Sequence, residues 1–384
     1  MKVYFINSVV DYGSTGKIVR DLSNELKNEG HSVRIAYGRH DAKQKDDTLN
    51  LSTKLGFAYH YFMSRFFGRH GLHSTPQTHK LIKDIKDFNP DCIHINNVHG
   101  YYLNVPLLLK ELKKMDVKIL WTLHDAWLIS GSSAYFDYSG CKTWDNGCVE
   151  CNSTKDYPRA DFIKRQKKNF AWKKTSLKGF KNLTFITPSE WLKNLISDTF
   201  LNEYSCVVVN NGIDTSVFKP QMNQELENQF KEKKVLLGVA SIWERRKGLD
   251  DFIALDQLIS DEYIIVLIGL SSQQIQDLPD SIVGIERTSD ANELAQYYSL
   301  AHAYLNPTYE DNYPTTNLEA LACNTPVIAY DTGGNKEVKT LITVSQGDIK
   351  ALYEEVRNLP NPKIQLDTSD LSKEHFAKLM MKLY

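Results

Sequence analysis

No apolar run in this sequence approaches the ~20 residues that a membrane-crossing helix needs; the longest, Tyr263 to Leu270, is far shorter. The opening stretch MKVYFINSVVDYG is interrupted at Asn7 and closed by Asp11. It reads as a first strand and not as a signal peptide, so the expectation is a cytoplasmic protein, soluble or held at a membrane surface. An excess of charge of one sign is also lacking. Lys and Arg number 46 against 47 Asp and Glu, a net charge of −1, so no overall field draws the chain to nucleic acid, and no nucleic-acid module is recognisable. Cysteine is scarce, with six in 384 residues. Cys92, Cys206 and Cys323 sit in apolar patterns and read as small buried hydrophobes. Cys141, Cys148 and Cys151 give C-x6-C-x2-C, half of a zinc-ribbon pattern with one ligand missing. Three thiolates plus a His or water would hold a structural zinc, and reduced thiols without metal fit the spacing equally. No segment is repetitive or of disordered composition, and the length suits two domains with separate cores.

What the chain does have is strand-then-helix alternation. Lys2 to Ser8 reads as a strand, Val9 to Lys17 as a Gly-rich turn, and the residues up to about Gly30 as a helix with Ile18, Leu22 and Leu26 at four-residue spacing. Gly13-Ser-Thr-Gly16-Lys17 is not a P-loop: Asp11 stands where the first glycine belongs, and Ile18 replaces the hydroxyl residue that would hold Mg²⁺. Strand, glycine turn and helix still open a doubly wound α/β domain. Further strands are predicted at His31 to Tyr37, Asp91 to Ile95, Val117 to Leu123 and Leu183 to Thr187, with helices at His79 to Phe88 and Pro106 to Met115. In such a fold, ligands bind outside the carboxyl ends of the strands. That makes candidates of Gly13 and Gly16, of His99, and of His124 with Asp125. A His-Asp pair that only caps a strand end fits His124 too.

In the second half, Lys234 to Ala240 reads as a strand followed by Ser241-Ile-Trp-Glu-Arg245-Arg246-Lys247-Gly248. Lysine as a point charge and arginine as a fork both suit phosphate oxygens, although a solvated cationic turn has the same composition. Further on, Tyr309 to Thr315 is a polar loop, Thr316 to Cys323 a helix, Asn324-Thr325 a turn and Pro326 to Tyr330 a buried-type strand before Gly333-Gly334. Thr316-x-x-Glu319 fits a capping box. The helix would point its positive N-terminus at a loop bearing Glu310 and Asp311; that end attracts phosphate, and carboxylates suit sugar hydroxyls. Glu319 that merely ties off its own helix would give the same spacing.

The Thr308 to Gly334 stretch resembles the signature of retaining glycosyltransferases of family 4, in which two acids separated by seven residues precede a helix and a Gly-Gly turn. Asp311 and Glu319 have that spacing; Glu310 lies one residue further away, so either Asp311 is the first acid or Glu310 serves in its place. Lys247-Gly248 is similar to the end of the family's Gly-Arg-x4-Lys-Gly motif. Ile242 occupies the Arg position, which leaves Arg245 or Arg246 to supply the second charge. Trp127 to Cys151 resembles a sub-group acting in capsule and colanic-acid assembly, with Ser133 where those proteins have a further Cys. The likeness covers nearly the whole chain and is densest at 124–151 and 304–334.

The resemblance implies an α/β protein of the GT-B fold: two Rossmann-like, doubly wound parallel-sheet domains facing across a cleft. Residues 1–205 would form the acceptor domain, with 368–384 returning to it as a terminal helix, and 206–367 the donor domain. It implies transfer of a hexose, with retention, from a nucleotide diphosphate sugar to a lipid-linked oligosaccharide in capsule, exopolysaccharide or O-antigen synthesis. No cofactor or protein nucleophile is needed, and the sequence has no Asp-x-Asp metal motif. Glu319 would hold the ribose diol; Lys247, Arg245 or Arg246, and the amides of Thr315 and Thr316 would hold the diphosphate. Gly13, Gly16, Arg287 and Asn312 join the donor site, Asp311 or Glu310 binds the donor sugar, and His124 lies at the reacting sugar. His99, Arg69 and Asp125 are acceptor-side candidates. A GT-B epimerase or a silent nucleotide-sugar-binding module are the rival readings. Finally, ten Lys and Arg lie between Lys155 and Lys181 against Asp156 and Asp161, interleaved with Phe162, Phe170, Trp172 and Phe180. This reads as an interfacial helix on an anionic inner leaflet, each exposed cation contributing ~1 kcal/mol, or as an ordinary solvated helix face.

Overall fold

The computed structural model describes residues 1–135, 138, 140–141, 147–149, 157–230, 232–360 and 367–384. Its contacts group the chain into two units: Met1–Asn210 with Ala377–Tyr384, and Asn211–Phe376.

The first unit is built on strands β1 (Lys2–Val9), β2 (Ser32–Arg39), β3 (Thr48–Asn50), β4 (Cys92–Ile95), β5 (Lys118–Thr122), β6 (Leu183–Thr187) and β7 (Ser205–Val208). They pair in parallel in the order β3-β2-β1-β4-β5-β6-β7. Helices α1 (Gly13–Asn28), α2 (Lys54–Phe67), α3 (Thr75–Phe88), α4 (Val105–Leu112), α5 (Gln166–Leu177) and α6 (Glu190–Ser197) connect them. Strands buried on both faces read as near-continuous apolar runs, as in β4, where all four residues are buried. The order reverses between β1 and β4, so the loops leaving these two strands diverge and open a crevice at their carboxyl ends.

The second unit repeats that plan with β8 (Lys234–Val239), β9 (Tyr263–Ile268), β10 (Ile282–Ile285), β11 (Ala303–Asn306), β12 (Val327–Tyr330) and β13 (Ile342–Val344), ordered β10-β9-β8-β11-β12-β13. Its helices are α7 (Gln224–Phe230), α8 (Leu249–Asp256), α9 (Ser272–Gln276), α10 (Ala291–Leu300), α11 (Thr315–Ala322) and α12 (Ile349–Asn358), and the last helix, α13 (Lys373–Met381), starts in it and continues from Ala377 in the part of the chain grouped with the first unit. One core, with Tyr298, Leu318 and Val327, packs separately from another with Phe252, Leu267 and Val356. Here the order reverses between β8 and β11.

Several sequence expectations shift. The units divide at 210/211 instead of 205/206, because β7 hydrogen-bonds to β6 with Thr184 opposite Ser205. At the other end, Ala377–Tyr384 groups with the first unit, where the Tyr384 hydroxyl and His94 Nδ1 lie 2.7 Å apart and Lys118 Nζ donates to the Tyr384 carbonyl at 3.3 Å. The Thr316-Glu319 capping box does not form: the N-cap is Pro314, which offers no side-chain bond, and Thr316 lies inside the first turn. The basic segment forms a helix with one buried face, and Lys167, Lys168 and Lys174 on it are exposed. In α5, Gln166, Asn169, Lys173 and Leu177 are buried. Lys173 Nζ donates to the Ser130 carbonyl at 2.9 Å and lies 3.7 Å from the Trp127 ring centroid, and burial pushes its pKa down to about 7. Among the described residues, no helix is long and apolar enough to cross a membrane.

Candidate active site

In the second unit the loops after β8 and β11 meet. Gly248 makes this possible: its φ is +76°, and a Cβ there would lie 2.3 Å from the Pro307 carbonyl oxygen. The Arg246 carbonyl accepts from Tyr309 N at 2.8 Å and from Thr308 Oγ1 at 3.2 Å. In return, Arg246 Nη1 donates to the Glu310 carbonyl at 3.1 Å. Lys247 Nζ donates to Asp311 Oδ2 at 2.6 Å, and Asp311 Oδ1 accepts from Asn312 N at 2.9 Å. A cation is thus already holding a carboxylate at the switch point of the sheet. The residues assigned separately to the diphosphate and the sugar are partners of one another.

Helix α11 begins directly after this loop. The first-turn amides of Thr315 and Thr316 have no intrahelical acceptor, because the helix starts there. Glu319 is buried one turn on, and its Oε2 accepts from the Tyr298 hydroxyl at 3.3 Å. Glu310 is buried as well, at 5% exposure, whereas Asp311 is half-buried. Of the two arginines, Arg246 is turned onto the acid loop, and Arg245 is exposed. Arg287 follows β10, the edge strand, and is exposed; β9 lies between β10 and β8. The structure does not bring it to the Lys247–Asp311 pair.

The first unit gathers its candidates at the β1/β4/β5 carboxyl ends. Gly13 opens α1 with φ +63°, and a Cβ on Gly16 would lie 3.1 Å from Val9 Cγ2. Asn7 Oδ1 accepts from Asn97 N at 3.1 Å and so ties β1 to the loop after β4. His99 Nε2 lies 2.8 Å from Asp125 Oδ2, and His124 Nε2 lies 2.9 Å from Asn96 Oδ1. His99, His124, Asp125, Asn96 and Trp127 line one small cavity. Burial pushes the His124 pKa down to about 4, His99 adding to the effect and Asp125 opposing it. His124 is therefore a neutral imidazole near pH 7. Its neighbour His99 holds Asp125 below the usual carboxylate range against the opposing effect of burial. Arg69 is reached only indirectly: the ring of the adjacent His70 is centred 6.3 Å from that of His99.

Of the three clustered cysteines, Cys148 Sγ accepts from Gly131 N at 3.0 Å, Cys141 is half-buried, and Cys151 lies outside the described residues. Among the described residues no group of three His, Cys, Asp or Glu is placed to hold a metal. Sequence reasoning missed the orienting groups Asn96, Tyr298 and Thr308, and the buried Asn306, Asn317 and Asn335. A polar residue ending an apolar strand, as Asn306 does in Ala303–Asn306, was the one signal available for them.

Two doubly wound parallel-sheet units of this build are the GT-B fold. The profile described as Glycosyltransferase Family 4 matches residues 15–217, and that of Glycosyl transferases group 1 matches residues 233–361. The chain belongs to Glycosyltransferase Family 4 and is a hexosyltransferase. It is similar to WcaC of Escherichia coli K12, named as a glycosyl transferase of colanic acid biosynthesis, with 26% identity over 357 residues, 88% of this chain and 85% of that protein. Among solved structures, sucrose-phosphate synthase from Thermosynechococcus elongatus matches with a TM-score of 0.73 at 18% identity, over 100% of this chain and 98% of that one. Anabaena HepE in complex with UDP-glucose matches with a TM-score of 0.62 at 14% identity, over 100% of this chain and 95% of that one.

Proposed function

We propose that this chain moves a hexose, with retention of configuration, from a nucleotide diphosphate sugar to a hydroxyl of a lipid-linked oligosaccharide during surface-polysaccharide synthesis. The observation that carries the reading is the Lys247–Asp311 pair beside the α11 N-terminus: this cation already engages an oxyanion at 2.6 Å. A diphosphate oxygen takes the place of that carboxylate oxygen on Lys247, and the Thr315 and Thr316 amides add donors. Together they stabilise negative charge on the leaving group. Glu319 holds the ribose diol, and Asp311, released from Lys247, turns to the sugar hydroxyls. The acceptor hydroxyl attacks the anomeric carbon on the face the diphosphate leaves; its proton departs with the diphosphate, so no protein nucleophile is required. His124, neutral, donates to the sugar, and His99 with Asp125 serves the acceptor. The UDP-glucose complex of HepE and the colanic acid biosynthesis in the name of WcaC support this donor and this pathway.

The enzyme acts at the cytoplasmic face of an anionic membrane. Support comes from an exposed apolar cluster next to exposed lysines. Phe162 is 72% exposed and stacks on Phe66 at 5.3 Å, with Phe62, Phe67 and Ile163 also exposed. Lys164, Lys167 and Lys168 follow directly. The three-cysteine segment carries either a structural zinc or reduced thiols, and neither enters the reaction.

The test is nucleoside diphosphate release from a panel of sugar nucleotides, with product configuration read by NMR. Turnover falls in Lys247→Ala and in Glu319→Ala. Undiminished turnover in both removes the donor site.

A further inference from the structure

Three asparagines of the second unit form a relay that the donor site as described leaves unused. Asn306 closes β11, Asn317 lies in the first turn of α11, and Asn335 follows the Gly333-Gly334 turn. Asn317 and Asn335 are 0% exposed, Asn306 7%. Asn306 Nδ2 donates to Asn317 Oδ1 at 2.8 Å, Asn317 Nδ2 to Asn335 Oδ1 at 3.0 Å, and Asn335 Nδ2 to the Tyr330 carbonyl at 3.1 Å. The last link sets the direction of all three. A backbone carbonyl only accepts, so Asn335 must turn its NH₂ toward Tyr330 and its oxygen toward Asn317, and Asn317 must then turn its oxygen toward Asn306.

The links join β11, α11, the Gly-Gly turn and β12. Gly334 N also donates to the Asn312 carbonyl at 2.9 Å, which fastens the same turn to the acid loop. Buried amides are costly unless satisfied, and apolar side chains would fill this space without directionality. What a satisfied relay adds is a single fixed register between the elements it joins.

We propose that the Asn306–Asn317–Asn335 relay positions the nucleotide-sugar site. It fixes the height and rotation of the first turn of α11, and with it the Thr315 and Thr316 amides and Glu319, against the Gly-Gly turn. The three asparagines are positioning residues, and their role rests on the donor reading above.

Asn317→Asp keeps the shape but sets an ionised acceptor against Asn335 Oδ1. Protonation returns one donor and so restores the link. UDP affinity, with GDP in parallel, is measured by calorimetry from pH 8 to pH 5 for the unaltered protein and the variant, with circular dichroism to register folding. Glu310, Asp311, Glu319 and Glu337 of the same loops are common to both proteins, so the ratio of affinities isolates position 317. At pH 8 the variant is expected to bind about tenfold more weakly, the loss of one hydrogen bond to a charged or buried group, and the ratio is expected to shrink as pH falls. Asn335→Ala, which cuts the relay without adding charge, is expected to weaken binding by a similar factor. Equal affinity in the folded variants overturns the relay alone, as does a weakening of Asn317→Asp that is constant with pH, or failure of both variants to fold. No nucleotide binding by the unaltered protein overturns the donor reading and the relay with it.

Discussion

Replacing Lys247 by alanine tests the donor site most directly. The lysine's side chain is 21% exposed and that of Asp311 15%, so both charges act in partial shelter from solvent. A hydrogen bond between charged groups contributes about 1.5–3 kcal/mol; with the exposure discounted, about 2 kcal/mol of diphosphate affinity goes with the ammonium. The substitution also leaves Asp311 unneutralised beside the incoming phosphates. Like charges about 4 Å apart repel by roughly 4 kcal/mol at an effective dielectric of 20, and water and counter-ions reduce this to about 1 kcal/mol at a loop that solvent still reaches. The sum, about 3 kcal/mol, is roughly a 150-fold rise in Kd for the nucleoside diphosphate. Titration calorimetry at moderate salt measures it. Because the second contribution comes from Asp311, Lys247→Ala with Asp311→Asn should recover about fivefold in affinity. A single variant whose Kd stays within twofold of the unaltered protein refutes phosphate binding by Lys247. A double variant no tighter than the single one refutes the electrostatic account of the pair.

Three further outcomes are expected. Gly248→Ala, strained by its positive φ and by contact with the Pro307 carbonyl, should separate the β8 and β11 loops and cost about 2 kcal/mol in urea unfolding; unchanged stability would show that the loops approach without the glycine. His124, neutral in the folded chain down to about pH 4, takes up a proton in the unfolded chain near pH 6.5. Stability should therefore fall as pH drops through that window and level off below pH 4, by up to roughly 3 kcal/mol. His124→Gln should flatten that part of the profile, and parallel pH profiles would refute the assignment. Phe162→Asp should abolish flotation with vesicles containing anionic lipid, and equal binding of the unaltered protein to neutral vesicles would end the membrane proposal.

Much of the fold was legible because its signals are local. Buried parallel strands declare themselves as short apolar runs, Gly13, Gly30 and Gly248 mark turns, and a helix N-terminus follows Pro314 wherever the rest of the chain lies. Lys247, Asp311 and Glu319 were legible as candidates for the same reason, each tied to a strand end or helix start within a few residues. Strand order was not local. Only pairing across the sheet placed the switch points between β1 and β4 and between β8 and β11, moved Cys206–Val208 into the first unit, and left Arg287 at an edge. At α5 composition could not tell which cation turns inward; packing put Lys173 against Trp127 and left Lys167, Lys168 and Lys174 exposed.

The amino-acid order by itself thus determined which segments become strands and helices and which of them carry chemistry, because hydrophobic period and turn chemistry act over a few residues. Tertiary structure alone decided which of those segments meet. The Lys247–Asp311 pair and the Asn306–Asn317–Asn335 relay exist only because β8, β11, α11 and the turn after β12 converge on one end of a sheet, a matter of contacts between residues far apart in the chain.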